Sequence, residues 1–168
     1  MPIPFFSYKP KAIVEPVEEP KPTQREIGYN PTLVAVLTRE HQDMLLLLYK
    51  AKNAVQAQHF DDVKDALDKL KIELAGHIRR ETEELHPYLI AHTRSEDRIA
   101  KLKDMHAGML RTERALEGFL KHYGGYPVTA RNAAMFYKEI DGVYAEFAKW
   151  TEQEEIAVYS LYRSPESY

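Results

Sequence analysis

From Thr32 to Tyr162 apolar side chains return at alternating spacings of three and four residues, and no proline interrupts them between Pro31 and Pro87. A helix turns once in 3.6 residues, so this spacing draws one apolar stripe along a helix; a strand would need a period of two. Four segments carry such a stripe, at about Thr32 to Ala57, Asp61 to His92, Ser95 to Tyr123 and Thr129 to Tyr162. Turn-forming residues separate them at His59-Phe60-Asp61-Asp62, Thr93-Arg94-Ser95 and Gly124-Gly125-Tyr126-Pro127, with Ser95 and Thr129 available as helix caps. Long helices with narrow stripes and short connections bury those stripes by lying side by side at shallow angles. The expected fold is all-α, an antiparallel up-and-down four-helix bundle over residues 31–168.

Ahead of the bundle the pattern changes. Seven of the ten prolines fall between Pro2 and Pro31, and Pro10, Pro16, Pro20 and Pro22 forbid a continuous helix. Residues 1–30 are therefore expected to form an extended, Pro-rich N-terminal arm. Ile3, Phe5, Phe6, Tyr8, Ile13 and Val14 give it apolar anchors for packing on its own bundle or on a neighbour. At 168 residues, 44% of them hydrophobic, the chain has the size of one domain with a substantial core. Its formal net charge of -3 offers no general attraction for nucleic acid or for an anionic membrane. No apolar run is long enough to span a bilayer and no charged leader opens the chain, so a cytoplasmic location is expected.

Within the apolar stripes stand five polar residues: His41, His77, Glu81, His106 and Glu154. A His or Glu facing a bundle core costs several kcal/mol unless it is paired, hydrogen-bonded or bound to a metal. Cysteine is absent, so thiolate metal sites, iron-sulfur ligation and cysteine nucleophiles are excluded, and a metal would have to take nitrogen and oxygen donors. His77 and Glu81 are four apart, one turn on the same helix face, and can reach one metal ion or a close pair. Glu81 and Glu154 are suited to bridge, with His41 and His106 each supplying a terminal imidazole. Such donors suit iron, manganese or zinc, and two carboxylates facing across a bundle suit a di-iron centre, so non-heme iron is the first expectation.

Helix levels follow from the turns. His41 and His77 are each eighteen positions from His59, and Glu81 and His106 are thirteen and twelve from Arg94, so each pair comes level. The fourth segment fits less well. Measured from the ends of the Gly-Gly loop, Trp150 and Glu154 lie four to nine residues deeper than His106, roughly 6 to 14 Å at 1.5 Å per residue. A rotated or kinked fourth helix would bring them level. Pro87 is expected to kink the second helix beyond the site. His86, nine residues and about 180° from His77, is expected to point away. His59, His92 and His122 fall at helix ends, Tyr144 and Tyr159 fall off the stripe, and Glu152 to Glu155, apart from Glu154, reads as a solvated face.

These residues resemble the hemerythrin-like, or HHE cation-binding, domains from about Thr32 to Leu161. The resemblance rests on Glu40-His41, on His77-Ile-Arg-Arg-Glu81 followed by Leu85-His86-Pro87-Tyr88-Leu89, on the lone His106, and on Trp150-Thr-Glu-Gln-Glu154 with Val158-Tyr159. It implies a hemerythrin-like bundle holding a metal that binds a small ligand, either a diatomic (O2 or NO) or peroxide, for sensing, scavenging or iron handling. Trp150 stands where that family has a histidine, and an indole N–H is a donor only. Two metals with one coordination position open, one metal, or none are all compatible with that replacement. Glu113 or Glu146 could serve as a substitute ligand, the alternative for each being a hydrogen-bond partner or a solvated flank. Arg111 and Leu110 follow His106 where the oxygen-carrying branch has ligands, so that branch fits poorly.

The alternative function is a metal-free structural or interaction bundle whose site has decayed around Trp150. Nothing in the sequence supplies a substrate pocket or an electron donor, so a binding protein is expected rather than an enzyme. The apolar arm and the aromatic surface around Tyr137 and Tyr144 leave room for a homodimer.

Overall fold

The computed structural model describes residues 28–167. Every regular element among them is helical: α1 spans Leu33–Gln56, α2 Phe60–Arg80, α3 His86–His92, α4 Glu96–Gly125 and α5 Ala133–Ala157. A π turn, Glu81–Leu85, joins α2 to α3 without a break, so the two form one rod and the domain is a bundle of four rods. Short 3-10 turns at Tyr159–Leu161 and Pro165–Ser167 follow α5. α1 lies against α2 and α5, and α4 closes the bundle against the same two. The arm expected over residues 1–30 lies outside the described residues except for its end. There Tyr29 stacks on Tyr162 with ring centroids 5.2 Å apart, and the Tyr162 hydroxyl accepts from the Asn30 N–H at 2.9 Å.

The segment limits hold to within a few residues, and the caps account for the differences. Asn30 does not cap α1 directly; its Oδ1 accepts from the N–H and hydroxyl of Thr32, folding a turn that starts the helix at Leu33. Ser95 caps α4 by accepting from the Arg98 N–H. Thr129 is not the cap of α5. It begins a turn in which Asn132 Oδ1 accepts from the Thr129 N–H at 2.7 Å, and the helix starts at Ala133. α4 meanwhile runs through Gly124 and Gly125, so the connection is centred near Thr129. Counted from these ends, His106 lies nineteen residues before Gly125 and Glu154 twenty-one after Ala133. The depth mismatch expected for the fourth helix is absent, and α5 needs no kink.

The second rod departs from expectation more instructively. Pro87 has no N–H to give the Glu83 carbonyl, and its ring would crowd that carbonyl in a regular helix. The chain widens into the π turn just before it, and the His86 N–H bonds back to the Glu81 carbonyl, five residues away. One extra residue in a turn shifts everything after it by about 100°. His86 therefore does not point away; it is buried, against Met109 and His106.

The core has two parts. A larger cluster fills the half of the bundle from Met44, Leu70 and Leu74 to Leu116, Phe136 and Phe147, and a smaller one joins Leu33, Leu37, Leu85, Leu89, Leu102, Val158 and Tyr159. His41, Glu81 and Glu154 fall between the two along α1, the π turn and α5. A buried polar layer thus separates two apolar ones. Tyr137 and Tyr144, expected as an outward aromatic surface, are half-buried against the larger cluster, and Lys52 lies 5.3 Å over the Tyr137 ring. Among the described residues no helix is long and apolar enough to cross a membrane.

Candidate metal centre

His41 from α1, His77 from α2, Glu81 from the π turn and Glu154 from α5 converge in that layer. Each offers one ligand atom, and these atoms all lie within 4.8 Å of one another. All four side chains are buried, Glu81 completely. Each ring is held from behind by a carboxylate. His77 Nδ1 lies 3.1 Å from Glu40 Oε2, and His41 Nδ1 lies 2.9 Å from Glu155 Oε1. Glu40 is in turn held by Arg80. Carboxylates at Nδ1 fix the tautomer that leaves Nε2 as the acceptor, as at metal-binding histidines.

The two Nε2 atoms face each other at 3.1 Å. With both Nδ1 atoms donating to carboxylates, both inward nitrogens of the neutral rings carry bare lone pairs. Lone pairs at that distance repel unless a proton or a cation lies between them. Around them Glu81 Oε1 is 3.3 Å from His77 Nε2, and Glu154 Oε2 is 3.7 Å from His41 Nε2. Glu81 Oε2 and Glu154 Oε2 are buried with no hydrogen-bond partner among the described residues. Orphaned buried carboxylate oxygens are costly and ask for a cation. The four side chains, with Met109, Glu113 and Trp150, border a void of about 10 Å³, room for about one water-sized sphere. Donor type, preset tautomers and space all fit a metal ion.

The charges of the metal-free cluster tell the same story. Burial pushes His41 down, with the neighbouring His77 adding to it. Burial works against His77 too, but its bonds to Glu81 and Glu40 outweigh it and raise the imidazole above its ordinary value. Glu81 is lowered, since His77 and the Tyr159 hydroxyl overcome the burial that would raise it. Glu154 is pushed up to about 9 by burial and by the charges of Glu81 and Glu113. Without a metal, the layer holds itself together with protons.

His106 is not among the four. It is half-buried on α4, with its ring against His86 at a centroid distance of 4.1 Å and its buried Nδ1 without a hydrogen-bond partner among the described residues. Glu113, also from α4, borders the void with an oxygen that has no hydrogen-bond partner among the described residues, and burial with the charge of Glu81 raises it to about 7. Glu146 is exposed and takes no part. Trp150 borders the same void as Glu154, and its ring tip lies where a side chain at Gly108 would be, 3.2 Å from a Cβ placed there. The glycine in α4 makes room for the indole.

Tyr159 belongs to the site, although its position off the stripe suggested a structural role. Its hydroxyl donates to Glu81 Oε1 at 2.7 Å and lies 3.3 Å from His41 Nε2, and its ring stacks on His41 at 5.5 Å and 12°. α5 stops at Ala157, so helical periodicity no longer says where residue 159 points. Glu155 was equally hidden, read as solvent-facing beside Glu154, and Glu40 showed only as the neighbour of His41.

A model of the hemerythrin HHE cation-binding domain matches residues 32–160. The chain belongs to that family. Comparison with curated proteins and with solved structures gave no match.

Proposed function

We propose that the protein is a non-heme metal-binding protein of the hemerythrin-like kind, with His41, His77, Glu81 and Glu154 holding the ion and iron as its first candidate. One observation carries the reading: two buried imidazoles whose Nδ1 atoms are tied to carboxylates turn their Nε2 lone pairs toward each other across a carboxylate-lined void. Imidazole and carboxylate donors without sulfur suit iron, manganese or zinc, and membership of a cation-binding family supports the same choice.

A second ion on the α4 side would be held by His106 together with Glu81 and Glu154. The contacts of His41 with His77, Lys52 with Asp141 and Gly108 with Trp150 support an up-and-down antiparallel arrangement of the four rods. Iron, if held there, would supply one-electron chemistry and the binding of O2, NO or peroxide. The protein's own part is to hold the carboxylates, fix the tautomers and exclude bulk water. Tyr159 acts there as a hydrogen-bond donor to Glu81.

Reconstitution with ferrous iron under anaerobic conditions tests this reading. Saturable uptake is expected, with near-ultraviolet absorption that changes on adding oxidant or nitric oxide. Uptake without any response to those ligands would remove the small-ligand role. Absence of uptake would leave a metal-free structural bundle.

A further inference from the structure

A second concavity lies away from the metal centre, between the start of α4, the turn before it and the end of α5. Its volume is about 600 Å³, within the range of pockets that hold small organic molecules. Arg94, Arg98, Lys101 and Arg163 line it, and no Asp or Glu does. None of these four cations forms an ion pair among the described residues. The chain as a whole is anionic, with a formal net charge of -3, so this clustering of one sign is local.

Like charges around one concavity repel, and apolar walls sharpen their field, because they screen it less than water does. The walls here are apolar. Leu102 and Met105 form part of the floor, and Ile156, 68% exposed, stands at the edge. A lone inorganic anion would satisfy the rim and leave that surface wet; an uncharged apolar molecule would do the reverse. We infer that this cavity binds an amphipathic organic anion, a carboxylate or phosphate head on an unbranched apolar chain, with the head among the four cations and the chain against Leu102, Met105 and Ile156. The inference does not depend on the metal reading.

The test uses the full chain and isothermal titration with dodecanoate below its micellar range. Dodecyltrimethylammonium, inorganic phosphate and phosphatidylglycerol vesicles serve as comparisons. One saturable site for dodecanoate is expected, weakened by added salt, and weakened about tenfold or more in an R98E/K101E variant, which loses two charge-assisted contacts. Both substituted positions are exposed, so circular dichroism melts of the variant should match wild type. No saturable binding would overturn the inference, and so would equal binding of the cationic amphiphile or an unchanged R98E/K101E affinity. Phosphate binding as tightly as dodecanoate would overturn the role of the apolar wall. Vesicle binding without dodecanoate binding would assign the same head chemistry to a membrane surface and overturn the pocket.

Discussion

Tyr159→Phe removes one oxygen atom from the centre of the site, and its cost can be worked from the contacts. The hydroxyl donates to Glu81 Oε1 at 2.7 Å, inside a carboxylate that is 0% exposed and whose other oxygen has no partner among the described residues. The surroundings hold Glu81 below the usual carboxylate range, so the acceptor is charged. A hydrogen bond to a buried charge contributes about 1.5–3 kcal/mol. For a domain of this size about 1 kcal/mol moves the melting point by roughly 2–4 °C, so a loss of roughly 3–12 °C is expected. The assay is thermal unfolding followed by circular dichroism at pH 7, with chelator present so that metal linkage does not enter. Tyr88→Phe is the control, because that hydroxyl donates to the neutral Arg163 carbonyl at 2.6 Å and such a bond contributes about 0.5–1.5 kcal/mol. A Tyr159→Phe protein that melts with wild type, or loses less than Tyr88→Phe, would refute the placement of Tyr159 on an ionised Glu81.

Other expectations follow from the same contacts. Glu40→Gln and Glu155→Gln keep the side-chain shape but release His77 and His41 from their orienting carboxylates, and metal affinity measured by competitive titration should fall about 10–100-fold. Glu113 has its pKa raised to about 7, so the native state gains protons that the unfolded chain has lost, and stability should fall as pH rises from about 4.5 through 7. Glu113→Gln removes that fall, so denaturant titrations with chelator should give a smaller wild-type stability than variant stability at pH 8 and convergence near pH 4. The opposite order would count against a buried Glu113. Gly142→Ala, on α5 with nothing within 4 Å of the added Cβ, should stabilise by about 0.5–1 kcal/mol through helix propensity alone.

The sequence made the helices legible because their stripes are long and the turns carry strong breakers. It made His41, His77, Glu81 and Glu154 legible because each is a charged or imidazole residue on an apolar stripe. What it hid depends on departures from a regular helix. His86 turned inward only through the π turn that Pro87 provokes, and Tyr159 joined the site only because α5 ends two residues before it. The apparent misfit of Glu154 came from placing the last connection by its glycines. Gly124 and Gly125 are in fact the last residues of α4, and Asn132 fixes the start of α5. Glu40 and Glu155 were hidden for a different reason: a carboxylate beside a stripe looks like a solvated flank until the ring nitrogen it holds is seen. Trp150 among the apolar residues of the stripe was visible at once, whereas the space that Gly108 leaves for it was not.

The measurement that bears most directly on the account is the metal content of the full chain, purified anaerobically without chelator, by elemental analysis. At least about one iron per chain is expected, retained through size exclusion and lost in a His77→Ala/Glu81→Ala variant that still shows the helical circular dichroism of the bundle. A second equivalent would extend the site to His106. A folded wild-type chain that binds neither iron, manganese nor zinc, even after incubation with each, would contradict it.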